Sequence, residues 1–378
     1  MAIHGIVTID QHHQFNFSLK SDAMNSMGVL VRRLFHLGGL GLLSLIVACG
    51  GSGGGAEDAT SSSNSSDTSN AHSTGVITLK PPKLSFSDTG LSVSDGVTRN
   101  GLWAVDSDYS WEFSLDQGVT WTIGSGKSFE VKGDGPKMIW VRARDNAGNK
   151  SEIVVVTCVL DTMAPAPVTV SPSVDGFTRT LQLTGLEANA KWEYSLDNQV
   201  SWHAGSGSAL GTLGNGLSMV WLRQVDLAGN ASASQTFDLQ AAGSSMSHEA
   251  STNPLQPSKM AEGLLTMLIH GVVVRGDADY VRWDIPKNHR VKSVRLVRYV
   301  SEDAIAFYAI QSSNVFDAGV DVSRMLVYGH MGPADLNRNV VANIPPEKLG
   351  EGPMTIWFQQ TGTLPTEYAI EISLQAVN

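Results

Sequence analysis

Apolar and polar side chains alternate in short stretches through most of the chain beyond residue 80. In residues 111–115 every second side chain is apolar, as in a strand with one buried face. Asp116, Gln117 and Gly118 form a turn signal that returns the chain through Trp121. Residues 138–144 are a further strand, and the turn composition of 145–149 predicts a hairpin onto 152–160. About seven short strands in some 80 residues, with no helical periodicity, predict a β-sandwich.

This pattern occurs twice at an offset of 81 residues, and about half of the positions from 111 to 151 are identical in the second copy. The sequence WEFSLD of residues 111–116 returns as WEYSLD in 192–197, each followed by a tryptophan and by GSG. The segment DNAGN of 145–149 returns as DLAGN in 226–230. Such self-similarity predicts two tandem modules, module 1 over residues 81–162 and module 2 over 163–241.

The two modules resemble the bacterial immunoglobulin-like repeats of surface proteins and large adhesins. The resemblance rests on W-E-[FY]-S-L-D, on G-S-G and on D-x-A-G-N, and it covers about 160 residues. Residues 160–167 are similar to the D-T-x-A-P linker of such arrays, whose prolines stiffen the joint. The resemblance implies two immunoglobulin-like β-sandwiches in series, acting as a spacer.

The last part of the chain has another strand-rich pattern. Residues 242–258 are polar, contain two prolines and are interpreted as a linker. Residues 259–378, module 3, carry β-branched and aromatic stretches between Gly, Pro and Asn breaks. They predict a separate jelly-roll-like β-sandwich and an all-β chain. Residues 306–311, 326–330 and 356–362 resemble accessory β-domains of secreted bacterial proteins, a likeness that carries no site residues with it.

The amino-terminal part has the layout of an export signal. Arg32 and Arg33 precede an apolar stretch that ends in small residues. Its last four residues resemble a bacterial lipobox: Ile46, Val47, Ala48 and Cys49. The resemblance implies a signal peptide over 27–48 and a lipid on Cys49 that holds the chain on a membrane; with Gly50 next, it implies the outer membrane or cell surface of a Gram-negative bacterium. An uncleaved hydrophobic anchor is the alternative.

The segments on either side of this signal have separate interpretations. Residues 1–26 fit no signal pattern and are interpreted as a mis-called extension, with the start at Met27. Residues 49–80 are rich in Gly, Ser, Asn, Thr and Asp and predict a disordered tether. A coil of 25–30 residues would span about 30 Å.

The overall charge limits the partners. The chain carries 26 basic and 36 acidic residues, a net charge of −10, which argues against nucleic acid as a ligand. The only basic cluster lies in module 3, as a solvated strand face or as a contact for anionic polysaccharide: Lys287, His289, Arg290, Lys292, Arg295 and Arg298.

Two sets of side chains in the repeats are candidates for ligand contact. Each module has three equivalent tryptophans that can fill its core, whereas Trp121 and Trp202, next to turns, are candidates for an aromatic platform that binds sugars. Asp145, Asp161 and Asp226 are candidate calcium ligands, because resembling adhesin arrays bind Ca²⁺ at module joints; turn formation is the alternative.

Catalytic motifs are missing from the sequence. The segment at Gly126 lacks the first glycine of a phosphate-binding loop, and no G-x-S-x-G or H-E-x-x-H is present. We therefore expect a non-enzymatic surface protein without a cofactor other than calcium, with module 3 as the head that binds polysaccharide or a cell-surface protein. A glycan-binding accessory protein or a hydrolase with its site in module 3 is the alternative, since His270, His289 and His330 share that module with several aspartates.

Overall fold

The computed structural model describes residues 7–9, 15–17, 78–240, 249–302 and 305–377, so the signal segment and nearly all of the tether lie outside it. The regular secondary structure of the described chain is almost entirely strand, which confirms the all-β prediction. Three short 3-10 helices occur, all in module 3: Val322–Arg324, Pro333–Asp335 and Pro346–Leu349. In the described part of the chain, no helix is long and apolar enough to cross a membrane.

The chain divides into two units, residues 1–72 and residues 73–378. In the first unit, strands β1 (Val7–Ile9) and β2 (Phe15–Phe17) pair antiparallel.

Module 1 is a sandwich of two sheets. Its strands are β3 (Lys83–Phe86), β4 (Val97–Thr98), β5 (Leu102–Asp106), β6 (Ser110–Ser114), β7 (Thr122–Ile123), β8 (Ser128–Glu130), β9 (Gly135–Arg144) and β10 (Val154–Leu160). One sheet has the order β4-β10-β9-β6-β7 and the other β3-β5-β8. The core between them contains Trp103, Trp111, Phe129, Ile139 and Val141, and alternate residues of β9 from Ile139 to Ala143 are buried.

The strands of module 2 are β11 (Thr169–Asp175), β12 (Thr178–Thr184), β13 (Lys191–Ser195), β14 (His203–Ala204), β15 (Ala209–Gly214), β16 (Met219–Val225) and β17 (Gln235–Asp238). Strands β14-β13-β16-β17 form one sheet, and β11, β12 and β15 belong to the other. The core of the module is filled by Leu181, Trp192, Tyr194, Leu210 and Leu222.

The sequence motif shared by the modules corresponds to a shared set of contacts. In module 1 the indole Nε1 of Trp111 donates to Gly126 O at 3.1 Å, and a Cβ at Gly124 would lie 2.2 Å from the indole ring. Glycine is required at position 124 because the ring lies directly against its backbone. The same contacts recur in module 2 between Trp192, Gly207 and Gly205. In each module, the first glycine of the GSG motif therefore packs against the core tryptophan, and the second accepts its indole N–H.

Modules 1 and 2 touch through the second D-x-A-G-N turn. Leu91 N donates to Leu227 O, and Thr89 Oγ1 donates to Ala228 O. Arg99 Nη1 donates to Gly229 O at 2.7 Å. The carbonyls of this turn thus hold module 1 to module 2 directly, in addition to the linker that joins them.

The strands of module 3 are β18 (Ser258–Lys259), β19 (Thr266–Val273), β20 (Ala278–Ile285), β21 (His289–Val300), β22 (Ala306–Gln311), β23 (Val327–Met331), β24 (Gly352–Gln360) and β25 (Thr366–Ala376). Five of them form one sheet in the order β18-β20-β24-β22-β23. The module is a sandwich, since β19, β25 and β21 pack against this sheet through a large apolar core.

The expectation that module 3 is a separate sandwich is wrong. Strands β19, β25 and β21 continue the sheet of module 2 in the order β11-β12-β15-β19-β25-β21, and β15 and β19 pair in parallel from Gly211 to Gly214. Leu268, Val297 and Ala369 of module 3 complete the core of module 2. Strand edges pair wherever their free N–H and C=O groups meet a complementary edge, so the two modules share one sheet and one core.

Module 3 also begins earlier than the predicted boundary at residue 259. Ala250 is buried, Ser251 pairs with Tyr280, and Ser258 lies in β18. Residues 250–258, predicted as part of a polar linker, therefore pack on module 3, where Ser251 and Ser258 pair with strand β20.

Candidate functional site

The candidate site is a cleft of about 470 Å³ between module 2 and module 3. Residues of β14 and the turn before it form one wall, and residues of β21, β25 and the loop after the second 3-10 helix form the other. The lining residues are Ser201, Trp202, His203, Ala204, Lys292, Ser293, Arg295, Asn337, Asn339 and Ser373. The cleft thus brings together one predicted platform residue, Trp202, and two members of the predicted basic cluster.

Trp202 is half-buried and presents only part of its surface. The guanidinium carbon of Arg223 lies 3.8 Å from the centroid of its ring, and Arg223 is fixed by Glu193 at 2.7 Å. This cation–π contact covers one face of the indole. Trp202 Nε1 has no protein acceptor among the described residues, so this N–H is available to a ligand.

Trp121, the equivalent residue of module 1, differs in this respect. Arg142 stacks on it at 3.7 Å, but its Nε1 donates to Gly118 O at 3.0 Å. Gln199 replaces Gly118 in module 2. The indole N–H of Trp121 is therefore bonded within its own turn. The roles of Trp121 and Trp202 as sugar platforms stay predictions.

Arg295 lines the cleft and is anchored beneath it. Its Nη2 and Nε donate to Glu371 Oε1 at 2.6 and 3.1 Å, and Glu371 is completely buried. The other carboxylate oxygen accepts the Tyr194 hydroxyl at 2.5 Å. Burial and the adjacent Glu371 charge raise the pKa of Tyr194 well above its ordinary value, so this phenol stays protonated as a donor. This network connects the two modules and fixes the guanidinium.

His203 forms part of the wall next to this network. Its ring stacks on Tyr194 with centroids 5.2 Å apart. Burial lowers the pKa of His203 below 6.5, and the Arg295 charge lowers it further, while Glu371 and Asp197 act in the opposite direction. The imidazole is therefore neutral at pH 7 and offers one donor and one acceptor.

The opposite wall supplies an amide and a charge. Asn337 is exposed with φ +67°, and its backbone N–H is used by Leu296 O. The side chain of Asn339 is bonded within the protein, because its Oδ1 accepts the backbone N–H of Val294 and its Nδ2 donates to Lys292 O. Lys292 is exposed and forms no ion pair with any described residue. The open groups of the cleft thus include an indole N–H, an imidazole, an amide, the Nη1 of Arg295 and the uncompensated ammonium of Lys292.

The other members of the basic cluster lie outside the cleft. Arg298 donates to Glu367 at 2.6 Å and to Leu196 O. His289 Nδ1 lies 2.9 Å from Lys287 O, and Arg290 bonds the side-chain oxygen of Gln375.

The carboxylates of the three candidate calcium aspartates accept backbone N–H groups of residues two or four positions later, as turn residues do; for Asp161 the donor is Met163 N at 3.1 Å. Asp145 accepts from Asn149 N at 2.8 Å and from Asn149 Nδ2 at 2.7 Å, and these bonds lower its pKa. Asp226 makes the same bonds to Asn230, whose Nδ2 also reaches Asp161 O. No group of three or more His, Cys, Asp or Glu able to hold a metal exists among the described residues. The contacts agree with turn formation, and calcium stays a prediction.

The remaining candidates fall elsewhere. His270 is buried at the shared sheet, where its Nδ1 accepts the backbone N–H groups of Gly216 and Leu217. Cys158 is buried in module 1, and burial raises its pKa. Cys49 lies outside the described residues.

Tyr194, His203 and Glu371 were missed by reasoning from sequence. A signal was present for two of them, because module 1 has Phe113 in place of Tyr194 and Thr122 in place of His203. Polar groups added to one repeat alone indicate a contact that the other repeat does not make. Glu371 lies in an apolar strand and gave no such signal.

Comparisons with known proteins identify no family. No family model and no curated protein matches the chain. Among solved structures, a carbohydrate-binding module of the β-sandwich superfamily matches with 9% identity over 79% of this chain and 94% of its own, at a TM-score of 0.19. A protein crystallised with a xylogluco-oligosaccharide has 11% identity over 78% and 79%, at 0.22. The fibronectin domains FN1–FN3 of chicken CNTN1 have 11% identity over 74% and 90%, at 0.18. At these TM-scores the likeness carries no information on the ligand.

Proposed function

We propose that this chain is a non-enzymatic, lipid-anchored surface protein that binds glycans in the cleft between module 2 and module 3. The observation that carries the proposal is the gathering of the Trp202 indole with Lys292 and Asn337 around one groove. Module 2 is then half of the binding head, and module 1 is the spacer.

The chemistry of the cleft suits a sugar. An indole presents an apolar surface for the C–H face of a pyranose, and its N–H can bond a ring hydroxyl. The amide of Asn337 and the neutral imidazole of His203 both donate and accept, which matches hydroxyl groups. Few convergent polar groups on a concave surface are typical of a ligand site.

The same lining favours binding over hydrolysis. Glycoside hydrolysis in most families uses two carboxyl groups that flank the scissile bond. The cleft is lined by no carboxylate, and Glu371 beneath it is committed to Arg295 and Tyr194.

Replacing Trp202 by alanine is expected to weaken glycan binding about tenfold, which corresponds to about 1.4 kcal/mol of lost contact. The purified mature chain is first screened on a glycan array, and its affinity for the glycans that bind is then measured by titration calorimetry. Trp121→Ala is the matched control, since it removes an indole that lies under an arginine in the same way but outside the cleft. Equal loss in the two variants, or no glycan bound by the parent chain, would refute the proposal.

The anchor is proposed from the lipobox-like sequence at Cys49. Cys49→Ser removes the sulfur that would carry the lipid, so it is expected to abolish incorporation of a labelled fatty acid in a Gram-negative host. The protein should then leave the membrane fraction, because several acyl chains together hold a protein firmly on a membrane. Cys158→Ser removes the only other thiol and is expected to leave both readouts unchanged. Label retained in the Cys49→Ser variant would rule out this anchor.

A further inference from the structure

The cleft is positive on an acidic protein. Ten residues line it, among them Lys292, Arg295 and no carboxylate, whereas the whole chain has a net charge of −10. Arg295 is paired at 2.6 Å with Glu371 beneath the cleft, so the uncompensated positive charge of the lining is that of Lys292. In a nearby groove on the same pair of modules, Arg298 is paired at 2.6 Å with Glu367, which itself lines that groove. A local charge of one sign in a concave site concentrates ligands of the opposite sign.

The cations of the cleft differ in their availability. Lys292 is exposed and forms no ion pair among the described residues. Arg295 donates through Nε and Nη2 to Glu371, which leaves Nη1 without a protein acceptor in the described chain. Because Glu371, which is itself held by the Tyr194 hydroxyl, binds the guanidinium from below, its open edge is fixed before a ligand arrives. A fixed donor loses less entropy on binding.

We infer that the sugar bound in the cleft is anionic, with its negative group at Lys292 and the open edge of Arg295 and its ring against Trp202. This inference rests on the proposed function and adds the class of ligand. A carboxylate of a uronic acid and a sulfate ester offer the same chemistry to an ammonium and the free Nη1 of a guanidinium.

The test uses the purified mature chain and four polymers: polygalacturonate, its carboxyl-reduced neutral form, dextran sulfate and dextran. We expect one of the anionic polymers to bind at least tenfold more tightly than its neutral counterpart, with an affinity that falls as salt rises. The polymer that binds tells the carboxylate source from the sulfate source.

Lys292→Gln is expected to weaken binding of that anionic polymer about fivefold more than binding of its neutral counterpart, the upper range for one exposed charge pair. Lys287→Gln is the matched control, an exposed lysine of the same basic cluster outside the cleft.

Three results would overturn the inference. Equal binding of neutral and anionic polymers, with no effect of Lys292→Gln, would refute the anionic ligand and leave the glycan site standing. Equal losses in the Lys287 and Lys292 variants, or equally tight binding of single-stranded DNA, would mean unspecific attraction of polyanions. No binding of any polymer or array glycan would refute the proposed function itself.

Discussion

Replacing Glu371 by alanine is expected to lower the free energy of unfolding by about 3 kcal/mol, the lower end of the range for breaking a buried ion pair. The side chain is completely buried and accepts three hydrogen bonds, one from Tyr194 and two from Arg295. Its loss leaves the Tyr194 hydroxyl in the interior without an acceptor and opens a cavity. The low end applies because the Arg295 side chain, 28% exposed, can turn toward solvent.

The measurement is urea unfolding of the mature chain followed by tryptophan fluorescence. Modules 2 and 3 share a sheet and a core and are expected to unfold together, so the shift falls on their common transition. Glu367→Ala is the control on the same strand, because Glu367 pairs with Arg298 but is 28% exposed; its cost is expected to stay below about 1 kcal/mol. Similar costs for the two variants would contradict the argument from burial.

Tyr194→Phe separates the hydrogen bond from the charge pair. Module 1 carries Phe113 at this position, so the sandwich accommodates the smaller side chain. A double-mutant cycle of Tyr194→Phe with Glu371→Gln measures the coupling of the two groups. Additive effects would mean that the contact across the two modules contributes nothing to their union.

The repeats were predictable because their determinants are local. The core tryptophan, the glycine that it packs against and the carbonyl that accepts its N–H all lie within 16 consecutive residues, Trp111 to Gly126 in module 1. Strand alternation and turn residues in the same stretch specify the hairpin. All the residues that determine the structure of such a motif lie close together in the sequence, so the sequence alone predicts it.

The union of modules 2 and 3 was not predictable by the same reasoning. A strand sequence specifies which face is buried but not which edge it joins, so the alternation in β15 did not identify β19, more than 50 residues later, as its partner. One substitution between the repeats did mark the contact. Gly211 replaces Glu130 of module 1, and a Cβ there would lie 2.3 Å from the Leu264 side chain. The cleft depends on this union, so its two walls could not be assigned to one site beforehand.

The protein is expected to lose stability as pH rises from about 4 to 8, through the titration of Asp279. This carboxyl is buried in module 3, where it accepts the Tyr368 hydroxyl at 2.6 Å. Burial raises its pKa from 3.8 to about 7; the charges of Asp277 and Glu249 raise it further, and the Tyr368 bond opposes them. Between these pH values the folded chain holds a proton that the unfolded chain has lost, so each rise in pH favours unfolding. The full effect is on the order of 4 kcal/mol above pH 7.

Asp279→Asn is expected to remove this dependence. The amide oxygen can still accept the Tyr368 hydroxyl, and no charge has to be buried at high pH. The variant should therefore match the parent chain near pH 4 and exceed its unfolding free energy at pH 8, measured by urea unfolding across that range. Asp277→Asn, at a partly exposed neighbour, should change the slope only slightly, because the Asp277 charge contributes less than burial to the raised pKa of Asp279. If the parent chain and the Asp279→Asn variant lost stability in parallel, Asp279 would have to be ionised in the fold already at low pH, held by Tyr368 alone.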